Sequence, residues 1–176
     1  MIELIEQKDR LERIRAMLPS KGSALDIGCG DSFRSVYSGT SFNRIVAINT
    51  YQPYVDELRR EFPRPGWDFY QADVRDYTPD CLFDAVTMIH VAEHLDLYDL
   101  ARVFNRLVPA CRGIFIVESP EQYDDNERSL VASGNPQEAH RSLVTAEFLA
   151  RWMFHLVFRY QMNPNFSNAV YVYEHK

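Results

Sequence analysis

The chain has 176 residues, room for one domain and little more. Hydrophobic residues at 46% and charged residues at 25% are globular proportions, which exclude a disordered chain. The 19 Lys and Arg against 25 Asp and Glu leave a net charge of -6, and Arg59, Arg60 and Arg64, the densest basic stretch, are broken by Glu61, so there is no basic stripe of the kind that neutralises nucleic-acid phosphates.

The opening MIELIEQKDRLERIR is charged and lacks the apolar core of a secretory signal, and no run approaches the ~18 apolar residues of a membrane span. A soluble cytoplasmic protein, with neither membrane nor nucleic acid as partner, is the expectation. Cys29, Cys81 and Cys111 are odd in number and lack ligand spacing, which argues against both a disulfide framework and a zinc site.

Residues 3–18 carry Leu4, Leu11, Ile14 and Leu18 at helical spacing, so an N-terminal helix is predicted within 1–19, stopped by Pro19, Ser20 and Gly22. SALDIG (23–28) reads as a buried parallel strand ending in glycine, with a short helix around 32–38. RIVAIN (44–49) is the second strand, and Pro53 opens a helix over 53–62. WDFYQAD (67–73) and FDAVTMI (83–89) are the third and fourth strands. A helix follows over 95–108, then GIFIVES (113–119) as the fifth strand. Residues 120–141 are polar and long for a passive connector, which suggests a lid. A capped helix over 145–154 leads to LVFRYQM and AVYVYEH, joined by turn residues as a hairpin. Alternating apolar strands and helices imply one α/β domain, a mostly parallel sheet covered on both faces.

The chemistry concentrates at strand ends. Leu25-Asp26-Ile27-Gly28-Cys29-Gly30 brings a carboxylate to the end of the first strand and then turns sharply on two glycines, so that a ligand can approach the backbone. This stretch resembles the first motif of class I S-adenosylmethionine-dependent methyltransferases. The resemblance continues in order: Asn49 stands where that family has an acidic residue on the cofactor ribose, with Tyr51 close by. Ala72-Asp73-Val74 stands at its adenine position, and Phe83-Asp84 and Ile89-His90-Val91-Ala92-Glu93-His94-Leu95 match its fourth strand and the segment after that strand. It covers about residues 20–176. It implies a single Rossmann-like seven-stranded sheet of order 3-2-1-4-5-7-6, S-adenosyl-L-methionine as cofactor, and contacts through Asp26, Gly28, Cys29, Gly30, Asn49, Tyr51, Asp73, Val74 and Ile89. A dehydrogenase reading fails, because Phe33 stands where the third glycine is needed and Asn49 offers no carboxylate.

Methyl transfer needs orientation above all, plus a base where the acceptor is a hydroxyl. His94 and His140 are the catalytic candidates. His140 lies in Asn135-Pro136-Gln137-Glu138-Ala139-His140-Arg141-Ser142, which is similar to an Asn-Pro…His-Arg-Ser segment of bacterial methyltransferases, some linked to surface-glycan or small-molecule modification. The implied activity is transfer to oxygen or nitrogen of a small molecule or glycan; the alternative is a cofactor-binding domain without catalysis, for which Asn49 speaks. His90-Val91-Ala92-Glu93-His94 also matches the H-x-x-E-H signature of a zinc peptidase family. It follows a buried strand and shows no third ligand in sequence, so no metal site is expected there.

Overall fold

A computed structural model describes residues 3–122, 139–163 and 166–175. The strands are β1 (Glu3–Glu6), β2 (Lys21–Ile27), β3 (Ser41–Asn49), β4 (Trp67–Gln71), β5 (Phe83–Ile89), β6 (Cys111–Pro120), β7 (His155–Asn163) and β8 (Phe166–Glu174). Between them lie α1 (Arg10–Met17), α2 (Asp31–Tyr37), α3 (Gln52–Glu61), α4 (Leu97–Leu107) and the short α5 (Ala146–Leu149), with single 3-10 turns at Gln7–Asp9, Ala92–His94 and Ala150–Trp152. No helix among the described residues is long and apolar enough to cross a membrane.

Among the described residues these eight strands join one sheet of order β1-β7-β8-β6-β5-β2-β3-β4. From β4 to β7 this is the seven-strand order that the family resemblance implies. β2 pairs in parallel with β3 on one side and β5 on the other, so chain order reverses between β2 and β5. β8 runs antiparallel between β6 and β7. Successive residues of a strand face opposite sides, and both sides here are covered. Leu25, Ile27, Val46, Ile48, Val86 and Met88 pack with Leu100, Val103, Phe104 and Leu107 of α4. The alternate positions Ala24, Ile45, Ala47 and Ala85 pack with Ile14 of α1, Phe33 and Val36 of α2, and Val55 and Leu58 of α3. Near-continuous apolar strands are the consequence.

The N-terminus corrects one expectation. Residues 3–18 are not one helix: Glu3–Glu6 is an eighth strand, pairing Leu4 with Arg159 and Ile5 with Tyr160 in parallel, and the helix starts at Arg10. The hairpin would otherwise leave the outer row of β7 N–H and C=O groups as a bare edge, and a short N-terminal strand covers it. Leu4, which carried the helical periodicity, is exposed, while Ile5 packs on the core. The helix expected over 145–154 is likewise shorter. Thr145 caps α5 by accepting from the Phe148 N–H, and Met153 ends the following turn in the left-handed region at φ 62°.

Two constraints hold the sheet beneath the site. At its lower end the Asp84 carboxylate accepts from the Ser23 N–H at 2.8 Å, from the Ser23 hydroxyl at 3.0 Å and from Arg112 Nε at 2.7 Å. Arg112 and Ser23 together hold its pKa down at about 2 against the burial that raises it. β2, β5 and β6 close on this carboxylate so tightly that a Cβ on Gly113 would lie 2.1 Å from the Asp84 carbonyl oxygen. Higher in the sheet, Asp26 accepts from the Thr87 hydroxyl at 2.6 Å, and Thr87 in turn lies 2.6 Å from the Tyr37 hydroxyl, which donates to it. The other Asp26 oxygen is buried without a partner among the described residues. Burial raises the Asp26 pKa to about 7, although the Thr87 bond opposes it.

Gly113→Ala is expected to cost about 1–3 kcal/mol of stability, since the obstructing atom is backbone that cannot rotate away. Urea unfolding at neutral pH measures it, and an unchanged midpoint would refute the close packing. Asp26 predicts a pH effect of definite sign. Its folded pKa stands above the unfolded value of 3.8, so the folded chain holds the extra proton between 3.8 and about 7, and stability falls as pH rises through that window. Asp26→Asn should therefore gain stability relative to wild type as pH is raised from 5 to 8. A constant difference across that range would show that Asp26 does not titrate there.

Candidate functional site

The sheet builds its site where β2 and β5 part, the place at which open α/β sheets leave a crevice at their carboxyl ends. β2 stops at Ile27, and the Gly28 and Cys29 N–H groups both donate to the Ile48 carbonyl at 2.8 and 3.0 Å. Gly28 turns the chain at φ 77°, and a Cβ there would lie 2.1 Å from Val91 Cγ2. Glycine is strongly favoured at this position on both counts. Gly30 is different. Its φ is -148°, and a Cβ would meet the Tyr54 ring at 3.7 Å, an ordinary contact distance, so neither strain nor a clash demands glycine there.

Asn49 ends β3. Its Nδ2 donates to the Cys29 carbonyl at 2.8 Å and its Oδ1 accepts from the Tyr51 N–H at 2.8 Å, so the amide ties the glycine turn to the start of α3. A carboxylate could not donate the first of these bonds, which gives the amide a structural reason at a position where an acid was the family expectation. Tyr51 packs edge-on against Tyr54, ring centres 5.2 Å apart. After β4, Asp73 accepts from the Arg75 N–H at 2.9 Å and forms a two-pronged pair with the Arg75 guanidinium, Nε at 3.0 Å and Nη2 at 2.5 Å. Arg75 keeps that carboxyl below its ordinary range. Val74 is buried.

These ends enclose a cleft of about 750 Å³, open solvent at its mouth included. Ile27, Gly28, Ile48 and Asn49 form one wall, Ala72, Asp73, Val74 and Arg75 another, and Val91, His94, Leu95 and Arg141 the third. A second cleft of about 820 Å³ adjoins it, lined by Gly30, Asp31 and Ser32 together with Arg10, Ile89, Glu93 and His140. The two share Gly28, Tyr54, His90 and His94. Of the residues singled out in sequence, Gly28, Asn49, Asp73 and Val74 line the first cleft, while Gly30 and Ile89 line the second. Asp26 and Cys29 are buried and line neither. Cys29 contributes its carbonyl, and burial pushes its thiol pKa far above the ordinary value.

Beyond β5 the H-x-x-E-H run is not helical. His90 adopts φ 53°, and only Ala92–His94 form a 3-10 turn. A non-glycine residue in the left-handed region stores strain that its surroundings must hold. Here His90 Nδ1 lies 3.1 Å from Glu93 Oε1, and Nε2 lies 2.8 Å from Glu118 Oε1 and 3.2 Å from the Tyr160 hydroxyl. Glu118 also accepts from the Tyr160 hydroxyl and from Arg10 Nε at 3.2 Å. Burial alone would lower the His90 pKa, but bonds and charge from Glu118 and Glu93 outweigh it and raise the value to about 10. His90 is therefore a fixed imidazolium between two buried carboxylates, with both ring nitrogens engaged. Sequence reading missed this network; an acidic residue closing the apolar run GIFIVES was the signal that could have found Glu118.

His94 turns the other way. Its Nδ1 lies 3.3 Å from the Ala139 carbonyl, and its ring centre lies 5.2 Å from that of His140. The Arg141 and Ser142 N–H groups donate to the Glu93 carbonyl at 2.7 and 3.2 Å, and the Ser142 hydroxyl donates to the Leu95 carbonyl at 2.7 Å. The two catalytic candidates thus meet across the shared wall of the clefts. The lid expected over 120–141 lies mostly at 123–138, outside the described residues.

Residues 4–158 match a protein family described as a methyltransferase domain. Trans-aconitate 2-methyltransferase of Acidovorax sp. (strain JS42) is 26% identical over 133 residues, 72% of this chain and 49% of that protein. Cypemycin N-terminal methyltransferase of a Streptomyces species is 33% identical over 66 residues, 38% of this chain and 27% of its own length. The chain spans about half the length of the first of these relatives, and less of the second. Among solved structures, the N-methyltransferase NodS from Bradyrhizobium japonicum WM9 in complex with S-adenosyl-L-homocysteine is similar with a TM-score of 0.64 at 16% identity, over 94% of this chain and 86% of that one. The YcgJ protein of Bacillus subtilis is similar with a TM-score of 0.69 at 13% identity, over 97% and 99%. With a sheet that reverses at a glycine turn, a cleft across that reversal and a family match over most of its length, the chain belongs to the methyltransferase-domain family and has the class I S-adenosylmethionine-dependent fold.

Proposed function

We propose that this chain binds S-adenosyl-L-methionine in the first cleft and methylates oxygen or nitrogen of a small molecule or glycan held in the second. The observation that carries this reading is the joining of the two clefts at Gly28, Tyr54, His90 and His94. A donor and an acceptor placed one in each would meet at that shared wall.

The residues fit such a cofactor. The apolar side chains of Ile27, Ile48, Val74 and Leu95 suit a flat aromatic base, while Asn49 and Asp73 offer polar atoms at the cleft wall. Gly28 belongs to both clefts, so the charged end of the cofactor would pass from the first over the glycine turn to Gly30 at the edge of the second. When bound, the cofactor supplies an electrophilic methyl carbon on a sulfonium; the acceptor's lone pair forms the new bond, the sulfur keeps the electrons of the old one, and the acceptor gives up a proton. This chain's part is to hold the two together, with about 7–11 kcal/mol available from orientation, and to handle the acceptor. We assign that second task to His94 and His140, whose ring centres lie 5.2 Å apart, since His90 is already committed to two carboxylates. Cofactor binding without turnover over a broad acceptor panel would leave the chain a non-catalytic binding domain.

Gly30→Val tests cofactor binding more cleanly than a change at Gly28, where strain and the Val91 clash would disturb the fold itself. Calorimetry with S-adenosylhomocysteine should show affinity lowered about tenfold or more in Gly30→Val, with the melting temperature close to wild type. Equal affinity in the variant would mean that the ligand does not pass over this turn. His140→Ala should lower turnover by about 10²-fold while leaving that affinity nearly intact, as expected of a group that acts on the acceptor alone. Unchanged turnover would remove His140 from the acceptor site.

A further inference from the structure

Where the clefts adjoin, Glu93, His94 and His140 bring one carboxylate oxygen and two ring nitrogens within 4.8 Å of one another. Glu93 is 2% exposed, and its Oε1 is taken by His90, yet its Oε2 is buried with no hydrogen-bond partner among the described residues. A buried carboxylate oxygen without a partner is costly, and such groups are paired or coordinate a metal. From this juxtaposition we infer that Glu93, His94 and His140 form a divalent-cation site.

The surroundings are those of a ligand set. His94 Nδ1 faces the Ala139 carbonyl at 3.3 Å, and a ligating imidazole commonly fixes its ring by giving its other N–H to such a carbonyl. His90 holds the remaining Glu93 oxygen at 3.1 Å, as an outer partner to a ligating carboxylate. The third ligand does not arrive by chance, because the Arg141 and Ser142 N–H bonds to the Glu93 carbonyl seat the chain beside His140 directly on the residue that supplies the first. Metal–ligand bonds of about 2.0–2.2 Å require these atoms to close by roughly 1 Å, within the reach of side-chain rotation.

Two imidazoles and one carboxylate suit a transition ion such as Zn²⁺, Co²⁺ or Mn²⁺ better than Mg²⁺ or Ca²⁺, which prefer all-oxygen shells. Three protein ligands leave coordination positions open, the mark of a site that binds a further molecule. The open side borders the second cleft, lined by Gly30, Ser32 and His140, and His94 belongs to both clefts. The ion would therefore hold an acceptor that chelates through two neighbouring oxygens, such as a vicinal diol or a hydroxy acid. This use of the ion rests on the methyl-transfer reading; the binding of the ion does not. Spacing along the sequence pairs His94 with His90, and the fold replaces His90 by His140.

The test uses untagged full-length protein, stripped with a chelator and titrated with Co²⁺ by visible absorption and with Zn²⁺ by calorimetry. One equivalent should bind at about micromolar affinity or tighter. Glu93→Gln, His94→Ala and His140→Ala should each weaken binding about tenfold or more, with circular dichroism confirming the fold, whereas His155→Ala should not. Absence of a cobalt band at about millimolar metal would overturn the site, as would binding unaltered in a His94→Ala/His140→Ala double variant. S-adenosylhomocysteine titrated into the stripped protein separates the two readings. Cofactor binding without metal binding defeats the ion alone, and metal binding without cofactor binding leaves the ion and defeats the methyl donor.

Discussion

His90 is a cation locked between Glu93 and Glu118 at the end of β5, and the upper half of the molecule is organised around it. Glu118 brings in the end of β6, Tyr160 brings in β7, and Arg10 brings in the first turn of α1. Glu93 brings in the 3-10 turn, whose carbonyl then seats residues 141 and 142. Charges this deep are expensive to bury, and a well-packed apolar cluster could be as stable. The network supplies direction instead: it holds His90 in the left-handed region and so sends Val91, Glu93 and His94 back across the crevice.

The glycine turn depends on the same device. Gly28 has no room for a Cβ because Val91 comes directly after His90 and presses its Cγ2 against it. Asn49 fastens the turn from the opposite strand, through the Cys29 carbonyl. The crevice is thus closed at its root by contacts between residues after β2, β3 and β5, and open above, where Gly30, Tyr54 and His94 leave space. Strong constraint below and free volume above are what a site needs to hold a ligand without rearranging.

The lower end of the sheet shows the complementary solution. Asp84 is held well below its ordinary pKa by Arg112 and Ser23, and Gly113 stands against its backbone, so β2, β5 and β6 start in fixed register. Asp26 sits between the two ends with one oxygen satisfied by Thr87 and the other without a partner among the described residues. The acid expected to meet the cofactor is a buried member of β2 that lines neither cleft. It lies on the strand whose last residue, Ile27, lines the cleft.

Local pattern alone determined the parallel strands, the glycine turn at Gly28 and the amphipathic α4, because a strand buried on both faces must be apolar throughout and a helix buried on one face must repeat at 3.6 residues. The strand order followed from resemblance, and the sheet bears it out from β4 to β7. Tertiary structure alone decided that Glu3–Glu6 becomes a strand, since its helical periodicity was adequate and only the open edge of β7 outweighed it. It alone decided the fate of the histidines. In sequence His90 and His94 look like partners at helical spacing, but the positive φ of His90 turns the two apart, and a carbonyl bond at Glu93 seats the chain that carries His140 in the vacant place. Spacing along a chain specifies which side chains share a face only while the backbone stays regular; at the end of β5 it does not, and contacts made across the fold take over.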